Sequence, residues 1–221
     1  WWEVALTRFN RRDNAYWDQE CKEYRWFAHN KGGSYRKWFG NEDYVIDWAD
    51  CGVDLKQDSH AAIRNERYYF KASLTWSRIS TGDYSVRYRL SGSLFDDTGA
   101  SFFCNEENEL VLLAFLNSSV TPQFCRVLSP TLHYEIGQVS LYPVLPEVTT
   151  NKKIVEIPSR CIQISRTDWD SFETSWDFST HPLARPGEPL IKNQFSRWQQ
   201  ECDERFSQLK ANEEELNRIF A

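Results

Sequence analysis

Basic side chains that could bind an anionic ligand are concentrated in one part of the sequence. Between Ala61 and Leu90 there are six bases against two acids, Glu66 and Asp83; the bases are Arg64, Arg67, Lys71, Arg78, Arg87 and Arg89. The whole chain nevertheless has a net charge of -6. This balance argues against binding nucleic acid by diffuse positive charge, but charge segregated onto one face can still bind phosphates.

Aromatic residues form the second group that could contact a flat ligand. The chain contains 10 Trp, 10 Tyr and 14 Phe among 221 residues. Aromatic side chains bury large areas, and they also stack on bases. We expect most of them to lie in the core. For Trp38 and Trp76 the core is the favoured position, and stacking on a base stays open as the alternative. A carbohydrate-binding module is a distant alternative that the aromatic content alone suggests.

The sequence lacks the motifs that indicate catalysis. It has no HExxH, no phosphate-binding glycine loop, no dinucleotide fingerprint and no Asn/Asp-Pro-Pro loop of the kind that grips an extruded base. The six cysteines form no CxxC pair and have no histidine at ligand spacing, which makes a zinc site unexpected. We therefore expect a binding module with reduced thiols, in the cytoplasm and without a membrane span.

The elements that must position these residues are predicted from periodicity and turn signals. Residues 61–103 are expected to form β structure, with strand-forming residues at Tyr68–Phe70 and Leu74–Trp76. In Tyr84–Leu90, apolar and polar residues alternate, which predicts a half-buried strand. On that strand, Arg87 and Arg89 are expected on the exposed face. A short strand is expected at 43–48, and strand and loop at 131–144.

Helices dominate the remaining predictions. Glu106–Leu116 is expected to be a helix, followed by a second one that contains Pro122 and ends near Leu128. Ser165–Asp168 resembles a capping box, which predicts that a helix starts there. An apolar stripe predicts a long C-terminal helix over 195–220, with Phe206 and Leu209 buried against a partner.

These elements predict an α+β fold with a mixed or antiparallel sheet, packed helices and a long C-terminal helix. Two regions are expected: 1–146, a recognition domain, and 147–221, a mainly helical segment that packs on it or on other parts of a longer protein.

Several strings resemble the specificity region of the adenine-specific DNA methyltransferases of BREX phage-exclusion systems, the PglX family. They run in order through the chain: Trp1–Val4, Asn30–Asn41, Thr75–Ser80, Tyr84–Tyr88, Phe95–Asp96 with Gly99–Ser101, Leu113–Ser119, Ser129–Leu132, Gly137–Val139, Tyr142–Val144, Asp168–Phe178 and Leu209–Phe220. The helix that ends in Leu-Asn-Ser is shared more loosely with specificity subunits of type I restriction systems. The fold implied is a target-recognition domain like those of restriction-modification enzymes.

The resemblance implies a parent protein that methylates adenine at N6 with S-adenosylmethionine. Its cofactor and catalytic motifs would lie N-terminal to Trp1, so this chain alone is expected to be inactive and to bind no cofactor. The expected partners are double-stranded DNA, the catalytic domain of the parent and other defence-system proteins.

In this reading, residues of about 31–145 hold the duplex while the catalytic domain receives the extruded base. Arginine can pair with guanine, and Asn or Gln with adenine, through two hydrogen bonds. The candidate DNA-binding residues are Lys31, Arg36, Lys37, Trp76, Arg78, Arg87, Arg89, Asn117, Arg126 and His133. The competing function is a protein-interaction scaffold within the same defence complex, without direct reading of DNA.

Overall fold

The structure, a computed structural model, describes residues 9–10, 24–143 and 153–220. Two small sheets and six α-helices make up this part of the chain, so the predicted α+β class is confirmed. The strands are β1 (Phe9–Asn10), β2 (Trp26–Asn30), β3 (Tyr44–Asp47), β4 (Ser73–Ser77), β5 (Arg87–Arg89), β6 (Ser93–Phe95) and β7 (Gly99–Phe102). The helices are α1 (Val53–Gln57), α2 (Glu106–Leu116), α3 (Thr121–Leu128), α4 (Ile136–Val139), α5 (Lys153–Trp169) and α6 (Ile191–Phe220).

The first sheet is mixed and is centred on β2. Strand β3 pairs with it antiparallel, and β1 and β6 pair with it parallel, with Ala28 opposite Ser93 of β6. The second sheet is antiparallel in the order β5–β4–β7, with Leu74 opposite both Tyr88 and Phe102. The two sheets are therefore small and each has a single central strand.

One buried side chain joins the two sheets. The amide of Asn30, at the end of β2, donates hydrogen bonds to Thr75 Oγ1 at 2.6 Å and to the carbonyl of Gly99 at 3.0 Å. These acceptors lie on β4 and β7, so three strands meet at one amide. Because a buried amide left without partners is costly, this contact favours one relative placement of the sheets.

The main core lies between the second sheet and the helices. Leu74, Trp76 and Val86 from the sheet side pack with α2, α5 and the end of α6. The Phe115 and Phe220 rings lie 5.8 Å apart, which places the last turn of α6 against α2. The C-terminal helices are thus part of the same core as the sheet.

Helix α2 and helix α3 have the predicted bounds. Pro122 lies in the first turn of α3, where its missing N–H costs no hydrogen bond. Among the described residues, no single helix has the length and composition to cross a membrane. Residues 108–116 of α2 and helix α3 pass such a test only as a pair, and that pair is bent by 71°.

Three predicted elements are wrong. Ser165–Asp168 forms the last turn of α5 instead of starting a helix, because the buried residues Ile154, Ile157 and Cys161 already set the helical face N-terminal to it. Residues 136–139 form a helical turn with a capping box between Glu135 and Gln138, in place of a strand. Tyr68 ends a 3-10 turn, Glu66–Tyr68, that precedes β4.

Two expectations about individual side chains also fail. Cys51 is in a disulfide, whereas Cys104, Cys125, Cys161 and Cys202 are free thiols. The expectation of six reduced thiols is therefore wrong, because wide sequence spacing does not keep cysteines apart in the fold. Phe206 of α6 is 69% exposed, so its predicted burial is wrong, while Leu209 packs partly against the main core.

Candidate nucleic-acid interface

The arginine pair of β5 is buried, which corrects the predicted exposed face. Arg87 and Arg89 are only 1% and 3% exposed. The segment that contains Trp38 covers them: Trp38 N–H donates to the Val86 carbonyl at 3.0 Å, and Tyr88 N–H donates to the Trp38 carbonyl at 2.8 Å. Both faces of this strand are therefore covered by protein, and neither arginine can reach a duplex.

The guanidinium of Arg89 ties the two sheets together. Its Nε donates to Ser73 Oγ at 2.9 Å, and its Nη1 donates to the carbonyls of Leu94 at 3.1 Å and Ser93 at 3.3 Å. Its Nη2 reaches the Lys71 carbonyl at 3.4 Å. The five N–H donors of an arginine suit this task, because several carbonyls can be satisfied by one side chain.

Arg87 has fewer partners. Its Nη1 donates to the Arg36 carbonyl at 3.5 Å, and Nη2 has no hydrogen-bond partner in the described part of the chain. Burial, together with the nearby positive charge of Arg36, lowers the pKa of Arg87 from 12.5 to about 10, although Glu42 and Asp43 act in the opposite direction. The group remains charged at neutral pH and is held inside the protein.

Trp76 and Asn117 are also engaged by the protein itself. Trp76 is fully buried, and its indole N–H donates to the Tyr134 carbonyl at 2.8 Å. The Asn117 amide donates to the Val86 carbonyl at 2.8 Å and accepts from the Val86 N–H at 2.9 Å. These contacts leave neither side chain available to a base, so both predicted DNA contacts are corrected to structural roles.

Arg36 and Lys37 are partly exposed and lie against carboxylates of the C-terminal helices. Lys37 Nζ lies 2.9 Å from Glu213 Oε2, and the indole N–H of Trp38 donates to Glu213 Oε1 at 2.7 Å. Arg36 Nη1 lies 3.8 Å from Asp168 Oδ2. A groove of about 590 Å³ separates this segment from α5 and α6, and its lining mixes both signs of charge.

Arg78 and His133 meet at one acidic side chain. Arg78 Nη1 lies 2.6 Å from Asp97, and its Nε lies 3.7 Å from Glu135. His133 Nδ1 lies 3.8 Å from the same Glu135 oxygen. Backbone pairing of Ile79 with His133 brings them together. This cluster is accessible, but its charges are largely balanced.

Six exposed cations have no ion-pair partner within the part of the chain that the structure describes. They are Lys31, Arg64, Arg67, Lys71, Arg126 and Lys192. Lys31 lies over the Tyr44 ring at 5.6 Å, and Arg126 donates to Gln123 at 3.2 Å. Only Lys31 and Arg126 were among the predicted candidates. Arg64, Arg67 and Lys71 are absent from the predicted DNA contacts, although the excess of bases between Ala61 and Leu90 already indicated them.

The described residues offer no metal site, and two of the free thiols are unsuited to nucleophilic chemistry. No three His, Cys, Asp or Glu side chains in the described ranges group together as metal ligands. Burial raises the pKa of Cys161 to about 12 and that of Cys104 to about 11. Both thiols therefore stay protonated at neutral pH and are poor nucleophiles.

Comparison with known proteins places this chain among methyltransferases. No protein-family model matches it. The chain is 41% identical over its whole length to the adenine-specific methyltransferase PglX of Lacticaseibacillus casei (strain Zhang), of which it spans 19%. Over 83% of its length it is 35% identical to the adenine-specific methyltransferase BrxX of Escherichia coli O9:H4 (strain HS), of which it spans 14%. The predicted resemblance is confirmed: along its whole length the chain is a member of the PglX family of adenine-specific methyltransferases, and it corresponds to less than a fifth of each of these two relatives.

Proposed function

We propose that this chain is the DNA target-recognition region of an N6-adenine DNA methyltransferase in a BREX phage-defence system. It binds duplex DNA and selects the site, while another part of the protein transfers the methyl group. One observation supports the proposal: the whole chain matches part of an adenine-specific methyltransferase, yet its sequence contains no motif for gripping the target base.

S-adenosylmethionine does not fit the described residues. Dinucleotide-like cofactors are usually held where a parallel strand leads through a glycine-rich turn into a helix. Here β7 leads into α2, but β7 is antiparallel to its neighbour β4, and no glycine lies between Phe102 and Glu106. We therefore assign the cofactor to other parts of the parent protein.

The mechanism needs a surface that holds the duplex while one adenine is turned out of the stack. Phosphate contacts set the position of the DNA, and contacts to base edges choose the sequence. In this proposal the exposed residues Lys31, Arg126 and His133 contact DNA directly. Three partly exposed cations contribute only if DNA phosphates displace their carboxylate partners: Arg36 from Asp168, Lys37 from Glu213 and Arg78 from Asp97.

The C-terminal helices support this surface in the proposal. The Ser119 N–H donates to Asn217 of α6 at 2.8 Å, and Glu213 of α6 holds both Lys37 and Trp38. Residues 1–146 would then be the recognition part and 147–221 the helical brace that keeps its loops in place. Other regions of the parent protein would contact the brace on its solvent side.

Fluorescence anisotropy of the 221-residue chain with labelled duplex DNA tests the proposal. Binding should weaken steeply and log-linearly with salt, by about 0.9 log units per log unit of salt for each phosphate contact. Calorimetric titration with S-adenosylmethionine should show no saturable binding. Absence of DNA binding at low salt, or saturable binding of the cofactor, would contradict this assignment.

A scaffold role is the second candidate, and one feature favours it. Large apolar side chains are exposed along α6 and just before it: Leu190, Ile191, Phe195 and Phe206. Such a surface is typical of protein contacts. A chain that fails to bind DNA but whose Phe195→Ser/Phe206→Ser variant no longer copurifies with the catalytic part of the parent would favour this role.

A further inference from the structure

We infer that residues 64–71, called here the basic turn, contact the phosphate backbone of duplex DNA without regard to base sequence. The inference rests on the proposed function and adds the location of a positioning contact to it. The basic turn connects Arg64 through the 3-10 turn Glu66–Tyr68 to Lys71, just before β4.

The cations of the basic turn form no ion pairs with the acidic side chains of the described residues. Arg64, Arg67 and Lys71 are all exposed, and none of them forms an ion pair there. The one acid in the turn, Glu66, is held by Lys56 Nζ at 2.6 Å. Since Lys56 offsets Glu66, the segment has a local surplus of three positive charges on a chain whose net charge is -6.

One aromatic ring gathers two of these cations. The Arg67 guanidinium lies 4.8 Å from the centroid of the Tyr68 ring, and Lys71 Nζ lies 5.6 Å from the same centroid. The ring attracts each cation through its quadrupole, but the two cations repel each other. An anion beside both would relieve that repulsion, so the arrangement is suited to a phosphate.

The Tyr68 ring itself is not free to stack on a base. Phe103 stacks on it with ring centroids 4.6 Å apart and an interplanar angle of 25°. Two cations lie over the same ring, so its faces are already occupied. Positive charges without an open aromatic face are suited to the backbone of DNA and not to its bases.

The backbone of the basic turn is fixed before any ligand arrives. Asn65 and Phe70 adopt left-handed φ angles of 60° and 64°, and they lie on either side of the 3-10 turn Glu66–Tyr68. The Phe70 N–H donates to the Ser93 carbonyl at 3.0 Å, and the Gly92 N–H donates to the Phe70 carbonyl at 2.9 Å. Because the backbone is already held, binding an anion there costs little ordering entropy.

Aromatic packing below the turn holds it in the same position. The Tyr69 ring makes edge-to-face contacts with Trp48 at 5.5 Å and with Phe95 at 5.3 Å. The buried Arg89 donates to the Lys71 carbonyl at 3.4 Å and lies 5.4 Å from the centroid of the Phe95 ring. The buried arginine thus positions the end of the segment whose exposed cations face the solvent.

The test compares two double variants of the 221-residue chain that remove the same charge. R67A/K71A removes two cations from the basic turn, and R160A/K192A removes two exposed cations from α5 and α6. Binding to two duplexes of unrelated sequence is measured by anisotropy from about 0.05 to 0.2 M salt. R67A/K71A should weaken binding to both duplexes by the same factor and flatten the log–log salt slope by about 1.8.

The control and a rescue variant make the result specific. R160A/K192A should leave the salt slope within about 0.3 of the wild type, and R67K/K71R should restore the wild-type slope because it keeps both charges.

Equal slopes in R67A/K71A and R160A/K192A, with the wild type binding DNA normally, would overturn the inference and leave the proposed function standing. A loss confined to one duplex would also overturn it, since that result indicates base reading. A wild-type chain that binds neither duplex would remove both proposals.

Discussion

Strand β5 and the basic turn contain the same type of residue in opposite environments. Arg87 and Arg89 are buried and donate to backbone carbonyls, whereas Arg64 and Arg67 lie in solvent without ion-pair partners among the described residues. Alternation over Tyr84–Leu90 correctly predicted that Tyr84, Val86 and Tyr88 pack in the main core. It did not reveal that protein also covers the arginines, nor that the strand is limited to Arg87–Arg89. Arginine thus serves two purposes in this chain: Arg89 joins strands, and Arg64 and Arg67 present positive charge to solvent.

The difference follows from what lies over each segment. The Trp38 segment and β6 close over β5, so its guanidinium groups must find carbonyl acceptors inside the protein. The cations of the basic turn, by contrast, are exposed, and within the described residues no acidic side chain pairs with them.

Removing Arg89 should destabilise the fold strongly. Arg89→Ala leaves Ser73 Oγ and the carbonyls of Ser93 and Leu94 without their donor, and hydrogen bonds from a charged donor contribute about 1.5–3 kcal/mol each. We expect a loss of about 3 kcal/mol or more in the free energy of unfolding, measured by urea denaturation with tryptophan fluorescence. Arg67→Ala, the exposed counterpart, should change it by less than about 0.5 kcal/mol. If Arg89→Ala and Arg67→Ala lost the same free energy of unfolding, the distinction between the buried and the exposed arginine would be wrong.

The same contrast between burial and exposure should hold within helix α6. Leu216 is 1% exposed and packs in the main core, whereas Phe206 faces solvent. Leu216→Ala should cost about 2–5 kcal/mol. Phe206→Ala should cost less than about 0.5 kcal/mol, as a surface change does. A large loss from Phe206→Ala in thermal and urea unfolding would show that this side chain packs against protein.

His29 should make stability fall at mildly acidic pH. Burial lowers its pKa from 6.5 to about 4; Asp96 opposes the shift, while Lys31 and Arg89 add to it. The unfolded chain therefore binds a proton more readily than the folded one, so stability is full above the unfolded pKa and declines as pH falls from 6.5 towards about 4.

Lowering the pH from about 6.5 to 5 should cost about 2 kcal/mol through this group, and His29→Asn should flatten that part of the profile. Urea unfolding at several pH values measures both. A wild-type stability that stays constant over this range would show that His29 is protonated as easily in the folded chain.

Much of the fold could be predicted from local signals. The bounds of α2 and α3 followed from an acidic first turn, an apolar run and Pro122, and the long helix α6 followed from its apolar stripe. The start of α5 was missed because its buried face begins before the apparent capping box at Ser165. Ser165–Asp168 has residue types that resemble a capping box, but the segment lies inside a helix that begins at Lys153.

The candidate site was harder to predict because exposure depends on long-range contacts. Lys31 and Arg126 are accessible as expected, whereas Trp76 and Asn117 donate to backbone carbonyls far away in the sequence. Arg64, Arg67 and Lys71 were visible as a local excess of charge, but only the structure shows that Arg67 and Lys71 lie over the same Tyr68 ring. Residue type and spacing indicated the kind of chemistry, and tertiary packing decided which residues can perform it.

An exchange of segments tests whether this chain selects the DNA target. The matching segment of PglX from Lacticaseibacillus casei would be replaced by this chain, and methylated adenines would be mapped by long-read sequencing of DNA from cells that express the hybrid. If this chain selects the target, the hybrid should methylate a different sequence motif from the parental enzyme while it still modifies adenine. An active hybrid that methylates the parental motif would contradict the account, because the choice of site would then lie elsewhere in the protein.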